Sequence, residues 1–272
     1  MVMDLLEVRR FTHPPRSEPE PHSHQQGQLL ALQSGVVSIT TGNGRWLMPP
    51  GCLGWLPPRL PHGAAIHGQM CGVALYFDPS WSQRHLPATL KVVRPTPLLT
   101  ALLDELSRAA DWSAGRLAPY LATFADALVR QPAQPCHLPM PSHPRLLELT
   151  THLLHHPDDD SDLDGWARRA GLSRRTLTRR FLEQTGCSLG QWRQQMRLFL
   201  ALEHLGAGTP VTTVALSLGY RSVSAFIDTF RRHLGITPGH WQRITGPGGA
   251  GTAFASDKPT GWHDEQGNQA GR

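Results

Sequence analysis

Lysine is nearly missing from this chain: of 26 basic residues, all but Lys91 and Lys258 are arginine. Arginine is the better bidentate partner for phosphate and guanine edges, so the cationic surface suits an anionic, planar target. Cysteine is also scarce. Cys52, Cys71, Cys136 and Cys187 lie far apart and form no CxxC pair, which excludes a disulfide scaffold and a thiolate zinc knuckle and predicts free thiols in a reducing cytoplasm. No run approaches the ~18 apolar residues of a membrane helix. The opening MVMDLLEVRR mixes acid and base without an apolar core, so no secretory signal is expected. No GxSxG elbow, P-loop or GxGxxG is expected, so hydrolase and nucleotide readings have no support.

What is present fills 272 residues, room for two domains of ordinary size. The formal charge of +5 and pI near 9.4 are compatible with an anionic partner. Residues 1–20 are polar and carry Pro14, Pro15 and Pro19, which predicts an extended or poorly ordered arm. From Pro21 to about Phe77 the apolar runs are strand-length (GQLLAL, GVVSITT, GRWLMP, CLGWLP, CGVALYF) and bounded by turn residues. Asn43-Gly44 is a type I′ hairpin signal. Close-spaced strands predict an antiparallel barrel or sandwich. After Pro97 the period changes. Leu98, Leu99, Leu102, Leu103 and Leu106, then Leu117, Tyr120, Leu121, Phe124 and Leu128, mark two amphipathic helices expected to pair. Residues 131–144 carry five prolines and read as a linker, 145–245 as helical throughout, and 246–272 as a disordered tail.

The stretch from Val211 to Trp241 organises the helical half. Ala215 stands four residues before Gly219, which can take the left-handed conformation that ends a helix. Ser222 can cap the next helix, which is expected to present Ala225, Phe226 and Phe230 on one face. Arg231, Arg232 and His233 load its C-terminus, where the helix dipole favours cations. Thr237-Pro238 restarts a helix. An earlier copy exists: Ala167, Gly171, Ser173, Leu177 and Phe181 match Ala215, Gly219, Ser222, Phe226 and Phe230, about 49 residues apart. Two helix-turn-helix units joined by one helix of roughly eighteen residues, spanning about 27 Å, could address successive major grooves.

Ala215, Gly219-Tyr220, Ser222, Phe226, Phe230-Arg231-Arg232, Gly235, Thr237-Pro238 and Trp241 resemble the signature of the AraC/XylS family of transcription regulators, and the resemblance covers nearly all of 145–245. One departure is Trp241, where the family more often has tyrosine; it is expected to fill the same pocket. The resemblance implies base-facing positions at Arg175, Thr176, Thr178 and Arg179. Arg174 shares the exposed face of that helix. In the second copy the exposed set is Ser222, Val223, Ser224, Ile227 and Asp228, with Arg221, Arg231 and Arg232 as phosphate contacts.

The N-terminal half has its own pattern. His22-Ser23-His24, then Gln28, then Gly35 resembles the first cupin motif, with Gln in place of Glu; Gly51, Pro57 and Pro61-His62 resemble the second. On a strand, His22 and His24 share a face. With Gln28 and His62 they would make a mixed N/O site suited to a divalent transition metal ion. His152, His155 and His156 read as a solvated helix face.

The sequence therefore predicts an α+β chain: a cupin-like antiparallel β-barrel with dimerising helices over 1–130, the linker, and an all-α domain with two helix-turn-helix motifs. The expected function is a cytoplasmic, homodimeric transcription regulator, not an enzyme, binding promoter double-stranded DNA in response to a small-molecule effector or metal. The alternative is a cupin metalloenzyme, dioxygenase-like, with an accessory helical domain.

Overall fold

The computed structural model describes residues 4–134 and 136–246; the predicted tail lies outside them, except Gly246. The chain divides into two compact units between His137 and Leu138.

The first unit holds strands β1 (Leu5–His13), β2 (Arg16–His22), β3 (Gly27–Thr41), β4 (Gly44–Met48), β5 (Leu53–Leu56), β6 (His62–Phe77) and β7 (Lys91–Val93), with helices α1 (Pro79–His85), α2 (Pro97–Leu106) and α3 (Ala114–Arg130). Every pairing among these strands is antiparallel. The long strands β3 and β6 bend where Gly35 and Gly68 take φ of 75° and 76° and the β3–β6 register shifts. A Cβ on Gly35 would sit 2.8 Å from Met70 Cα, so only glycine allows this crossing. Each long strand thereby serves two sheets. Beyond the bend, β6 carries β1 on one side and β3 on the other; β3 in turn carries β5, and β5 carries β7. Before its bend, β6 carries β2, and the second half of β3 carries β4.

The closed barrel expected from the sequence is not formed. Among the described strands, β1 and β2 pair with β6 alone and the pairing path has ends, so the sheets roll toward each other without sealing. The physical reason is the pair of bends, which divide the long strands between two sheets instead of tilting them around one ring. Nor are the described residues 4–20 a loose arm, since β1 and most of β2 occupy them. Its inward positions are Arg9, Phe11 and His13, so the alternation that marks a half-buried strand was hidden by polar inward residues.

One face of the β1–β6–β3–β5 sheet packs on the helices. Leu29, Trp55, Leu75 and Phe77 meet Leu99, Leu102, Leu106, Leu121, Phe124 and Leu128, all buried. Each such side chain contributes about 1.5–3 kcal/mol by leaving water. Leu98, expected on this face, is 53% exposed instead. Helix α1 was not anticipated, although Asp78-Pro79 is a helix-start signal: Asp78 Oδ1 accepts from Trp81 N at 2.9 Å and Pro79 fills the first turn. A second cluster, including Leu32, Val37, Ile39, Leu56 and Met70, lines the inside of the roll.

A three-residue strand, β8 (His137–Pro139), precedes the second unit's helices α4 (Pro144–His155), α5 (Leu163–Arg169), α6 (Arg174–Thr185), α7 (Leu189–Gly206), α8 (Val211–Ser217), α9 (Val223–Leu234) and α10 (Pro238–Thr245). Side-chain caps start several of them. Asp162, Ser173 and Ser222 accept from Gly165 N, Thr176 N and Ala225 N, and Ser188 with Gln191 forms a capping box. Gly186 and Gly235, at φ of 74° and 73°, end α6 and α9. The buried stripe of α9 is Phe226, Phe230 and Leu234; Ala225 is exposed, contrary to expectation, because it lies one residue off the 3.6-residue stripe.

Candidate functional site

The two helix-turn-helix units are α5–α6 and α8–α9. Each turn is made by a left-handed glycine, Gly171 (φ 61°) and Gly219 (φ 74°), and each first helix buries its alanine, Ala167 and Ala215. Leu177 and Phe181 in α6, and Phe226 and Phe230 in α9, are fully buried and fix which faces stay outside. The duplication runs further than the sequence reading took it. Trp192 and Trp241 stand at matched positions after Gly186 and Gly235, both fully buried, and donate their indole N–H to Pro139 O (2.7 Å) and Leu202 O (3.1 Å). The matched aromatic was the available signal. Trp241 fills its pocket as expected.

On the outer face of α6, Arg174, Arg175, Thr178 and Arg179 are exposed and Thr176 is half-buried. Their free groups are not equal. Arg174 reaches Asp164 at 3.4 Å and Arg179 holds Glu183 at 2.8 Å, whereas Arg175 has no ion-pair partner among the described residues. The Thr178 hydroxyl donates to Arg174 O (2.9 Å), and the Thr176 hydroxyl sits 2.9 Å from Ser173 Oγ. Arg180 turns away to His143. On α9 and its turn, Arg221, Ser222, Ser224, Asp228 and Arg231 are exposed and Val223 and Ile227 half-buried. Ser222 Oγ is occupied as the helix cap.

Between α4 and α5 an acidic loop, residues 156–162, ties both units to α7. The Arg193 guanidinium donates to Asp159 O and lies 4.3 Å over the Trp166 ring of α5. Arg197 Nε donates to Pro157 O at 2.9 Å and its guanidinium lies 5.9 Å over the ring of Tyr220, beside the second turn. A Cβ on Gly219 would meet Asp158 Cα at 2.8 Å. Burial would raise the Asp159 carboxyl, but hydrogen bonds from Ser161 and His152 pull it down to about 2. Burial, with Arg197 nearby, lowers Arg193 to about 10.

In the first unit, His22, His24 and His62 come together. Their ligand nitrogens all lie within 4.8 Å of one another, and the rings are 4.6–5.4 Å apart. The β2–β6 register places His22 opposite His62. His24 lies just past the end of β2, so a loop rather than strand alternation brings it in. His62 Nδ1 is 2.9 Å from Leu60 O; with the proton on that nitrogen, Nε2 keeps its lone pair for a ligand. Burial lowers His62, and burial with His22 nearby lowers His24, which favours neutral, metal-competent imidazoles. Gln28 lines the same cavity, and its Nε2 donates to the Tyr76 hydroxyl (3.1 Å), leaving Oε1 as its ligand atom. The cavity, about 210 Å³, also draws Arg9, Phe11, His13 and Tyr76, which the sequence reading missed. His152 and His156, read as solvated, lie with ring centroids 4.6 Å apart and tilted by 37°, and His152 reaches Asp159 at 3.2 Å.

Two patterns associated with catalysis dissolve on inspection. Gly186-Cys187-Ser188-Leu189-Gly190 spells GxSxG, but it follows a helix rather than a strand, and Ser188 Oγ accepts from Gln191 N as a cap. All four cysteines are free; burial pushes Cys52 up to about 12 and Cys136 higher still, the opposite of a reactive thiolate.

Residues 5–131 match the AraC-like ligand binding domain and residues 166–244 a helix-turn-helix domain. The HTH-type transcriptional regulator NimR of Escherichia coli (strain K12) is 33% identical over 226 residues, 81% of this chain and 81% of that regulator. The regulatory protein SoxS of the same strain is 32% identical over 103 residues, 37% of this chain and 96% of SoxS. Among solved structures, the DNA-binding domain of AdpA in complex with a target DNA is 35% identical, covering 35% of this chain and 86% of that one with a TM-score of 0.33. Duplicated glycine turns, an arginine-rich outer helix and a relative matched over four fifths of its length converge: the chain belongs to the AraC family of DNA-binding transcription regulators, with a ligand-binding N-terminal domain.

Proposed function

We propose that α6 carries sequence discrimination and α9 mainly anchors. The observation behind this is the exposed Arg174–Arg179 face beside an α9 face whose one charge at the centre is Asp228. Arg175 and Arg179 would read guanine edges. Arg174, Thr176 and Thr178 would flank them. Arg221 and Arg231 would hold phosphates, with Ser222, Val223, Ser224 and Ile227 packing near the bases. Selection of bound DNA from a random pool by the full chain, repeated with Arg175→Ala and Arg179→Ala, tests it. Unchanged selectivity in both variants would sink the assignment.

The rest of the regulatory reading follows from the same source. The histidine cavity is the effector site, and residues 131–144 are the linker between the sensor domain (1–130) and the DNA-binding domain (145–245). The α2–α3 pair makes a homodimer, and the protein works in the cytoplasm. No described helix is long and apolar enough to cross a membrane. An effector acts by preferring one of two states of the regulator, to the extent of its differential affinity.

The donor set fits a divalent transition ion: three imidazoles within ligating reach of one another, one with its second nitrogen already engaged, and the Gln28 oxygen. Bound there, the ion would supply Lewis acidity for gripping a chelating effector. Titration of the chelator-treated chain with Zn²⁺ or Co²⁺, read by calorimetry and by the cobalt spectrum, tests the site against His62→Ala. We read the chain as a regulator and not as a dioxygenase, since its matched relatives are regulators along most of its length.

A further inference from the structure

Arg9 is the one permanently charged side chain among the described residues that line the cavity. Among the described residues lining it, five carry basic nitrogen groups, Arg9, His13, His22, His24 and His62, and none carries a carboxylate. The rest of the wall is largely apolar, from Leu30, Val37, Ile39, Leu56 and Met70. At about 210 Å³ it holds roughly seven waters' volume and falls at the small end of ligand pockets.

How the basic groups are placed matters more than their number. Arg9, Phe11 and His13 alternate along β1, so all three project to one face, and Phe11 and His13 stack at 5.4 Å. The β1–β6 register sets Arg9 against Ala74, and the guanidinium lies 5.6 Å over the Tyr76 ring. Tyr76 is held in turn by Gln28. The arginine is thus seated on an aromatic face while remaining 59% exposed. Its partner is Glu7, at 2.8 Å and itself 49% exposed. An ion pair that wet is worth little, so a ligand carboxylate can displace Glu7 at small cost. The histidine triad occupies another part of the lining, built by β2 and the start of β6. A divalent ion there would add to the positive character and not cancel it.

We propose that the effector is a small organic anion: a carboxylate held by Arg9 at the basic rim, carrying an apolar body of about ten non-hydrogen atoms against the Leu30–Val37–Met70 wall. This deepens, and rests on, the reading of the cavity as the effector site. It disfavours neutral polyols, whose hydroxyls the apolar wall would leave unpaired, and organic cations, which Arg9 would repel.

The test uses the full chain, stripped of metal and then resupplied with Zn²⁺. Benzoate, phenylacetate and octanoate are compared with benzamide, phenylacetamide and octanamide, pairs that differ in charge and hardly in shape. Binding is read by calorimetry and by shift of the thermal midpoint. At least one acid should bind about tenfold or more tightly than its amide, since charged hydrogen bonds are the strong ones. Arg9→Met should remove that preference, and Glu7→Gln should keep or strengthen it. Both residues are exposed, so folding is not at stake. Amides binding as well as acids, or Arg9→Met keeping the preference, would overturn the anion assignment and leave the cavity as an effector site. No binding in either series, with or without zinc, would overturn the anion assignment and the effector reading together.

Discussion

At the scale of single residues, the structure ranks positions that look alike in the sequence. Arg174, Arg175 and Arg179 all face outward, yet Arg175 alone of the three lacks an acidic partner among the described residues. Replacing Arg175 and Arg179 by alanine should therefore cost about 1–3 kcal/mol of base discrimination for each bidentate contact. The Ser224→Ala and Ile227→Ala pair should cost less, measured by competition binding against single-base operator variants. Glycines divide just as sharply. Gly219 has φ of 74° and an added Cβ would meet Asp158 Cα at 2.8 Å, so Gly219→Ala should destabilise by more than about 1 kcal/mol. Gly190 sits inside α7 with nothing within 4 Å of an added Cβ. Gly190→Ala should stabilise by roughly 0.5–1 kcal/mol, and paired thermal melts decide between the two signs.

At the scale of elements, the loop 156–162 deserves the weight usually given to helices. It is gripped by Arg193 and Arg197 of α7, and it lies against the α5 aromatic and the second glycine turn at once. It therefore fixes how one reading unit is presented relative to the other. The Asp159 carboxyl, held against burial at about 2 rather than an ordinary 3.8 by hydrogen bonds from Ser161 and His152, makes the loop's own conformation pH-sensitive. A depressed carboxylate stabilises the fold above its ordinary pKa, and that contribution fades as pH falls through about 4 toward 2. Asp159→Asn should remove about 1 kcal/mol at neutral pH and flatten the acid limb of the stability curve over that window, read by denaturant midpoints across pH. The same variant should loosen the preferred spacing between the two half-sites, scored on operators with one base pair inserted or deleted.

At the scale of the whole molecule, ligand and stability should move together. A metal ion bound by the three histidines in the folded state alone raises the thermal midpoint, by an amount set by concentration over Kd. Chelator should reverse it; His24→Ala should abolish the shift while leaving the metal-free midpoint nearly unchanged, and His62→Ala, at a buried position, should abolish the shift and lower the metal-free midpoint as well. A midpoint indifferent to zinc in the parent chain would remove the ion from the scheme.

The helical half was legible because its signals are local. Caps at Ser173, Ser188 and Ser222, glycine stops at 171 and 219, and the 3.6-residue spacing of Leu177 with Phe181 each declare a helix boundary or face within a few residues. The duplication turned those local signals into a function. His22, His24 and His62 were legible through their resemblance to a motif, and the fold does bring them within reach of each other. What stayed hidden was everything set by long-range register. Nothing near Arg9 in the chain announces Tyr76, and nothing near Asp159 announces Arg193. Polar inward residues erased the strand alternation of β1. The bends at Gly35 and Gly68, which open the expected barrel into two rolled sheets, act through contacts far along the chain. The sequence by itself determined the family and the helical elements, because caps, turns and spacing are decided within one or two turns of chain. Tertiary structure alone decided the lining of the cavity and the clamp on the acidic loop, because both arise where distant strands and helices meet.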